Sequence, residues 1–436
     1  MTSFKNLAKN KYGSNLLWTF LEKLLGICNS LIVVLILARY LGPNKFGILT
    51  YSQSYVALFS FLISLGLDSI TVKEIVKRPL ISDVIVSTSF VLKIIMFLLV
   101  FVVINTISYF SNDLIEIKLI IFVISIGLIH QPFNVVVNYF QAIVNIRYVS
   151  LLMMISKTLL IIIKVLMIYL KIALIYFVIL DSIILILLSL SYLFYYRSYR
   201  NSSFRNLFKF SKKIALTMLR FSWPLMLSSG AIVMYMRLDQ IMIKELLSLN
   251  ELGNYAVSVK ISESWYFIPM IITSVFFPSV IKAKAISEKL YFLRIKQLFF
   301  TTMWIAIFFA IFFTFFSEGL IGLLIGNEYD VNNHVLSILG FSGIYVSMGY
   351  VNGKWVIIEG YTKMELTRNL LGGGINALLN FILIPIYGIN GAAFSTLIAI
   401  FIASNLVFVF HIKTRKMFWI QNSAILNFKL LKINNK

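Results

Sequence analysis

The chain has 436 residues, of which 60% are hydrophobic, 15% aromatic and only 13% charged. Water-soluble chains carry about a quarter charged residues, so roughly half of the usual solvated surface is missing. Twelve membrane spans of about 20–25 residues would use most of the chain and leave connectors of roughly 11–15 residues. No soluble catalytic domain fits into that remainder.

The formal net charge is +22, from 39 Lys and Arg against 17 Asp and Glu. In a soluble protein this excess would first suggest a nucleic-acid partner. Here the basic residues fall mainly between apolar runs, which is the pattern of the positive-inside rule, so we expect no nucleic-acid partner. The single cysteine, Cys28, lies inside the first apolar run and forms no intrachain disulfide.

Apolar runs bounded by Pro, Gly or charge clusters predict an all-α polytopic membrane protein of about twelve transmembrane helices. The fifth and sixth helices are separated only at Leu170–Lys171, and the tenth and eleventh only around Glu359 to Tyr361. The predicted helices cover residues 14–40, 46–72, 84–110, 115–140, 148–170, 172–196, 221–247, 253–281, 297–318, 334–358, 362–386 and 391–412.

Alternate connectors differ sharply in basic content, which predicts the orientation. Most Lys and Arg residues lie in one set of connectors and in the two tails, so we expect both termini to be cytoplasmic. The predicted organisation is a six-helix lobe (1–196), a basic cytoplasmic linker (197–220), a second six-helix lobe (221–412) and a basic cytoplasmic tail (413–436). The opposite connectors hold only Arg39, Lys45, Lys118, Lys171, Lys244 and Lys260.

A weak internal repeat links the two halves. Residues 41–47 read Leu-Gly-Pro-Asn-Lys-Phe-Gly, and residues 247–253 read Leu-Ser-Leu-Asn-Glu-Leu-Gly. Leu, Asn and Gly recur at a constant offset of 206 residues, in equivalent places of the topology. This indicates two parallel six-helix repeats with a substrate path around a central cavity between them.

Lysines inside the first predicted lobe form a candidate substrate-binding path. Lys157 and Lys164 are seven residues apart on one helix face, and Lys93 is expected at a similar depth to Lys157. Together with Lys23 on the first helix, they offer successive binding sites for an anion such as a pyrophosphate. Alternatively, Lys164 and Asp181 form a structural pair and the other lysines extend toward the membrane surface.

Charged residues also occur inside the seventh and eighth predicted helices. Arg237 and Asp239 lie two residues apart and therefore on different faces, so each needs its own partner. We expect Arg237 to extend the cationic path and to exchange partners with Glu263 during transport. Asp181, Asp239 and Glu263 are then candidates for a charge switch in which a carboxylate takes up a proton. A fixed Arg237–Glu263 salt bridge is the alternative.

The fourth predicted helix carries a polar stripe of His130, Asn134, Asn138 and Gln141, spaced by four, four and three residues. Such a stripe suits contact with sugar hydroxyls, and hydrogen bonding between helices explains it equally well. No catalytic constellation or metal site emerges from the three dispersed histidines and one cysteine, and no phosphate-binding loop is present, so we predict neither an enzyme nor a cofactor.

Two segments resemble a known family. Residues 38–47, Ala-Arg-Tyr-Leu-Gly-Pro-Asn-Lys-Phe-Gly, resemble the first outer loop of the Wzx-type polysaccharide-biosynthesis flippases. These flippases belong to the multidrug/oligosaccharidyl-lipid/polysaccharide (MOP) exporter superfamily. Residues 237–240 and 251–255, followed by Trp265 and Pro278, resemble the same family's signature of helices seven and eight.

The resemblance implies a MATE-like MOP fold with two six-helix lobes around a central cationic cavity and alternating access. It also implies flipping of an undecaprenyl-pyrophosphate-linked oligosaccharide, an O-antigen or related surface polysaccharide unit, to the outer face of the inner membrane. Ion or proton coupling is implied, and the partners are membrane lipids, a polysaccharide polymerase and a chain-length regulator. Such flippases are expected to line the cavity with arginine, whereas this chain carries mainly lysine.

Three other functions remain open at this stage. A multidrug or cation antiporter of the same superfamily requires a net acidic cavity, which the lysines argue against. A membrane polymerase or glycosyltransferase requires a large outer loop, but the longest outer connector, about residues 317–334, is short and lacks Lys and Arg. A peptidoglycan-precursor flippase usually has fourteen helices, and this chain has room for about twelve.

Overall fold

The computed structural model describes residues 11–200, 209–326, 328–330, 334–410 and 412–425, and the described part is helical throughout apart from turns. A 3-10 turn covers Pro79–Ile81 and a π-helix covers Ile402–Leu406. The α-helices are α1 (Lys11–Ser64), α2 (Leu67–Lys77), α3 (Ser82–Phe110), α4 (Ile115–Gly127), α5 (His130–Ala142), α6 (Arg147–Tyr169), α7 (Leu174–Arg200), α8 (Lys212–Leu246), α9 (Leu249–Glu263), α10 (Phe267–Ile286), α11 (Glu288–Ile325), α12 (Val335–Glu359), α13 (Thr362–Phe401), α14 (Val407–Phe410) and α15 (Arg415–Ile425).

Ten helical segments of the described chain are long and apolar enough to cross a membrane. Two of them, Leu31–Lys77 and Met364–Phe410, have 47 residues each. At about 1.5 Å per residue each is roughly 70 Å long, which is more than twice the thickness of the hydrocarbon core. Both contain a glycine with non-helical backbone angles, Gly42 and Gly388. Gly388 divides Met364–Phe410 into two parts of crossing length, and Gly42 divides Leu31–Lys77 so that its first part completes a crossing only together with the earlier residues of α1. Counted in this way, the ten segments accommodate the twelve helices that the sequence predicts.

The two weakest predicted boundaries are real turns. Lys171 adopts a left-handed backbone (φ 54°) between α6 and α7. Gly360 (φ 75°) ends α12 before α13 begins. A left-handed residue cannot continue a right-handed helix, so the chain reverses at both places.

The described chain divides into two compact units. The first comprises the described residues up to Leu41 together with Ile48–Val233, and the second comprises Gly42–Gly47 and the described residues from Met234 onward. α7 extends to Arg200 and α8 begins at Lys212, so much of the predicted linker (197–220) is helical, and its residues 201–208 lie outside the described residues.

Aromatic and β-branched residues of α2, α3, α5 and α7 form the core of the first unit. Phe90 packs edge-on against Phe133, and Tyr139 packs edge-on against Tyr196. At one end of this core Arg200 donates to both oxygens of Asp83, at 3.1 and 2.7 Å, and so ties the last turn of α7 to the first turn of α3. A bidentate pair of this kind fixes both position and orientation.

The core of the second unit lies among α10, α11, α12 and the C-terminal helices. The amphipathic α15 is held there by polar groups as well as by Met417: Asn352 donates to Gln421 (3.0 Å), and Trp304 donates to the carbonyl oxygen of Ile425 (3.2 Å). Buried amides need partners in an apolar environment, so these bonds define where α15 lies.

The two segments of the internal repeat touch each other within the second unit. A Cβ added at Gly47 would overlap the carbonyl of Leu249, and a Cβ added at Gly253 would overlap the carbonyl of Pro43. The contact is reciprocal, because residues 43 and 249 and residues 47 and 253 are separated by the same 206 positions. Glycine is required at both places because main chain lies where a side chain would be.

We expect Gly47→Ala to lower stability by about 1–3 kcal/mol, because the added methyl meets main chain that cannot rotate away. Thermal unfolding of the purified protein in detergent would measure the change. Gly374→Ala is the matched control, since a Cβ there meets nothing within 4 Å. Equal unfolding temperatures for the two variants would contradict the close approach.

Candidate functional site

The predicted cationic path begins with Lys93, which is 1% exposed on α3. Its Nζ lies 2.5 Å from Oδ1 of Asp68 on α2. Asn138 on α5 donates to the same oxygen at 2.8 Å. Asp68 therefore joins three helices and neutralises the lysine, and Asn138 is engaged in binding between helices.

The other two described lysines of the path are paired in the same way. Lys157 on α6 lies 2.5 Å from Glu22 of α1, next to Gly26, whose missing side chain makes room for the ammonium group. Lys164 lies seven residues further along α6, and its Nζ is 2.7 Å from Oδ1 of Asp181 on α7. The structure thus contains the Lys164–Asp181 pair that the sequence left as an alternative. The side chain of Lys23 lies outside the described residues.

These three pairs change the electrostatic character predicted for the first unit. Each lysine has its own carboxylate, so each pair is neutral as a whole. Lys93 and Lys164 are buried, whereas 42% of the Lys157 side chain is exposed. Sequence spacing identified the lysines but not the acids that face them, and a substrate path along these lysines stays a prediction.

The polar stripe predicted on one helix does not share one environment. His130 begins α5, after a break in the helix, and its Nδ1 lies 2.8 Å from the carbonyl oxygen of Gly127. Asn138 is buried against Asp68, Asn134 is half-buried and Gln141 is exposed. Asn138 thus fits the interhelical alternative, and sugar contact by the other three remains a prediction.

In the second unit, Asp239 of α8 is buried at the end of a chain of hydrogen bonds. Tyr255 of α9 donates to its Oδ2 at 2.5 Å, and the backbone N–H of Gln240 donates to its Oδ1 at 2.7 Å. Tyr255 also hydrogen-bonds to Thr396. Asp239 is thus held by neutral donors and has no lysine or arginine in an ion pair with it among the described residues.

The same chain continues along α13. Asn376 donates to Thr396 at 3.3 Å, and Asn380 donates to Asn376 at 3.0 Å. Both asparagines are 0% exposed, and Oδ1 of Asn380 has no hydrogen-bond partner in the described structure. Oxygen atoms dominate this network, and oxygen is the ligand that hard cations prefer. No group of three His, Cys, Asp or Glu that could hold a metal occurs among the described residues.

Cations inside α8, α9 and α12 of the second unit lack a carboxylate partner in the described part of the chain. Arg237, Lys260 and Lys354 are half-buried, and no ion pair joins any of them to an acid in the described part of the chain. Lys354 instead lies 5.1 Å above the ring of Phe277. The Arg237–Glu263 pair that the sequence suggests is not formed.

Arg237, Asp239, Lys260 and Glu263 are nevertheless neighbours. Lys260 interacts electrostatically with both Arg237 and Glu263, and so does Asp239. The cluster therefore holds two cations and two acids whose charges are not locked into pairs. Arrangements of this kind are suited to exchange of partners, which a fixed salt bridge is not.

Two basic residues lie within helices, as the predicted spans 253–281 and 362–386 imply. Lys260, which the count of basic residues also assigned to an outer connector, lies inside α9. Arg368 is a buried residue of α13 that forms two hydrogen bonds with Glu365, at 2.8 and 2.5 Å. The three-residue spacing between Glu365 and Arg368 was the available signal, because residues at that spacing share a helix face.

Solved structures with a similar fold are membrane transporters. An inward-facing multidrug resistance MATE family transporter of the MOP superfamily matches with a TM-score of 0.67 and 15% identity, over 93% of this chain and 96% of that one. The lipid II flippase MurJ matches with a TM-score of 0.66 and 17% identity, over 97% and 93%. A MOP superfamily transporter from Pyrococcus furiosus matches with a TM-score of 0.59 and 13% identity, over 97% and 99%. The chain therefore has the two-lobe MOP transporter fold.

Sequence similarity assigns the chain to a particular family. Residues 12–284, well over half of the chain, match the family described as polysaccharide biosynthesis protein, and the chain belongs to that family. The capsular polysaccharide biosynthesis protein CapF of Staphylococcus aureus is 27% identical over 199 residues, which are 45% of this chain and 49% of CapF. The match thus spans about half the length of that relative. These findings confirm the predicted family.

Two variants would test the Lys164–Asp181 pair. Asp181→Asn leaves Lys164 buried without its acid and should destabilise the protein by about 2 kcal/mol, less than for a fully buried pair because Asp181 is partly exposed. Lys164→Met/Asp181→Leu should recover most of that loss, because no unpaired charge remains. Thermal unfolding in detergent is the measurement, and a double variant less stable than Asp181→Asn would contradict the pairing.

Proposed function

We propose that the protein is a flippase that moves undecaprenyl-pyrophosphate-linked oligosaccharide units from the cytoplasmic to the outer face of the plasma (inner) membrane. The observation that carries this proposal is the set of unpaired cations, Arg237, Lys260 and Lys354, inside the membrane-spanning helices of a polysaccharide biosynthesis family member. A pyrophosphate diester is an anion, and unpaired cations are the groups that bind it.

An unpaired charge inside the membrane has a cost in free energy. An ionisable side chain at membrane depth is unfavourable by about 2.5–3.5 kcal/mol or more unless it meets water, a partner or a ligand. Lys93, Lys157 and Lys164 meet this requirement with their own acids. Arg237, Lys260 and Lys354 have no such acid. This supports the proposal that they bind the transported substrate. Arg237 adds a planar fork of donors that suits phosphate oxygens.

The alternative functions fit less well. A cation antiporter of the same fold needs an excess of acid at its binding site, whereas the cluster of Arg237, Asp239, Lys260 and Glu263 holds two cations and two acids. A polymerase or glycosyltransferase of the same pathway is disfavoured by the transporter fold. The match to CapF favours a capsular or related surface glycan over O-antigen as the product.

The proposal also covers the orientation of the protein, its partner proteins and the remaining candidate residues. The distribution of Lys and Arg favours cytoplasmic termini. A polysaccharide polymerase and a chain-length regulator would act on the units after they reach the outer face. Asp181, Lys23 and the stripe residues His130, Asn134 and Gln141 stay candidate contacts or switch groups within this proposal.

We further propose that Asp239 couples transport to an ion gradient. Its carboxylate is buried, is unpaired with a cation and ends a chain of hydroxyl and amide groups from Tyr255 to Asn380. Uptake of a proton by this carboxylate would change the charge next to Arg237 and Glu263. Arg237 and Glu263 would then exchange partners during transport, as the sequence suggested.

The flippase proposal can be tested in a strain that lacks this gene. Lipid-linked oligosaccharides are extracted, and a membrane-impermeant sugar-modifying reagent reports which face they occupy. We expect completed units to be trapped on the cytoplasmic face and released by the wild type. Arg237→Gln/Lys354→Gln should reduce release by roughly tenfold or more, because each removed cation is a charge-assisted donor worth about 1.5–3 kcal/mol.

Two controls separate the causes of failure. Lys171→Gln removes a basic charge from an exposed turn and should leave release unchanged. Lys164→Met/Asp181→Leu removes a neutral pair and should also retain it. If units reached the outer face without this gene, or never formed at all, the flippase proposal would be wrong and an enzyme of the pathway would replace it.

The coupling proposal predicts the behaviour of Asp239→Asn in proteoliposomes. We expect the variant to bind lipid-linked substrate but to lose acceleration by an imposed proton gradient, because an amide takes up no proton. Tyr255→Phe removes the donor and retains the carboxylate, so it should keep a response that is shifted in pH. Acceleration by a sodium gradient alone in the wild type, with none by protons, would assign the site to the metal ion instead.

A further inference from the structure

A groove opens on the second unit between α10 and α11. It encloses about 70 Å³ and is open to the surroundings, so it holds one part of a larger ligand rather than a whole one. Its walls are apolar, with Ile272 and Phe276 on one side and Leu298 on the other, and Phe276 is half exposed. Pro278 lies within α10 beside the groove and cannot donate a helical hydrogen bond there.

One end of the groove is polar. Arg294 is half-buried and lines it together with Gln297, Ser279 and Thr301. Nη1 of Arg294 donates to Oε1 of Gln297 at 3.2 Å, which orients the guanidinium group. No carboxylate pairs with Arg294 in the part of the chain that the structure describes. Most of its donors therefore remain available to a ligand.

The charge around this end is positive. From Ser279 to Thr301 the chain carries five basic residues and one acid, Glu288. Glu288 is already paired with Lys416 at 2.7 Å, so it does not neutralise Arg294. Lys284 is likewise paired with Glu359 at 2.9 Å, which leaves Lys282, Lys289 and Lys296 to add to the field. An anionic group is attracted to such a region, by about 1 kcal/mol per basic residue at a membrane surface.

We infer that this groove is a binding site for an anionic phospholipid. The headgroup phosphate accepts from Arg294, whose fork matches two phosphate oxygens, and the first part of an acyl chain lies along Phe276, Ile272 and Leu298. The distance along α11 from Arg294 to Thr301 is two helical turns, about 10 Å, which accommodates a headgroup and the start of a chain. The apolar walls select a lipid over free phosphate. The site is independent of the transport proposed above.

The test uses the purified full-length protein in detergent, titrated with phosphatidylglycerol, with phosphatidylcholine and with inorganic phosphate. A ligand that binds only the folded state raises the unfolding temperature. We expect phosphatidylglycerol to stabilise the wild type and the other two to have little effect. Arg294→Gln should need roughly tenfold more phosphatidylglycerol for the same shift, and Arg294→Lys an intermediate amount.

Lys289→Gln is the matched control, because it removes an equal charge from an exposed position on the same helix and should weaken the response far less than Arg294→Gln. Thr301→Trp fills the groove from its exposed rim without changing charge, and it should abolish the response even if Arg294→Gln fails to fold. The inference is overturned if Arg294→Gln or Thr301→Trp responds like the wild type. It is also overturned if Lys289→Gln loses as much as Arg294→Gln, or if phosphatidylcholine or phosphate alone stabilises the wild type equally.

Discussion

Every charged group inside the membrane must find an opposite charge, a hydrogen-bond donor or a ligand, and this requirement organises the structure. In the first unit, Asp68, Glu22 and Asp181 satisfy it for three lysines. These pairs also hold helices together, since each joins residues of two helices. In the second unit Arg237, Lys260 and Lys354 have no such acid among the described residues, and the proposed function assigns them to the transported anion.

Backbone breaks determine how the long helices serve as membrane spans. Gly42 and Gly388 interrupt helices that would otherwise be twice as long as a bilayer is thick, and both adopt angles that are easy only for glycine. The π-helix after α13 is a further interruption of regular helix. In it, the carbonyl oxygen of Ser404 accepts a hydrogen bond from Asn352 at 2.8 Å. At Ser404 the irregular backbone is thus bonded to a polar side chain, as the apolar surroundings require.

The sequence predicts the fold well because the relevant signal is local. The length of an apolar run and the glycine or lysine that ends it are readable from neighbouring residues, so the twelve spans and the turns at Lys171 and Gly360 are correctly placed. The candidate site is harder to predict because its partners are distant in sequence. Glu22 lies 135 residues before Lys157, and helical spacing shows which face Lys157 occupies but not which acid lies opposite.

The reciprocal contact of Gly47 with Leu249 and of Gly253 with Pro43 has an evolutionary consequence. A large residue in a core can often be accommodated when its neighbour becomes smaller, so side-chain positions drift in compensating steps. Here the neighbour is main chain, which every amino acid possesses, and no replacement at residue 43 or 249 can make room. The two glycines are therefore constrained separately, and relatives that keep this crossing should retain both even where the surrounding side chains have diverged beyond recognition.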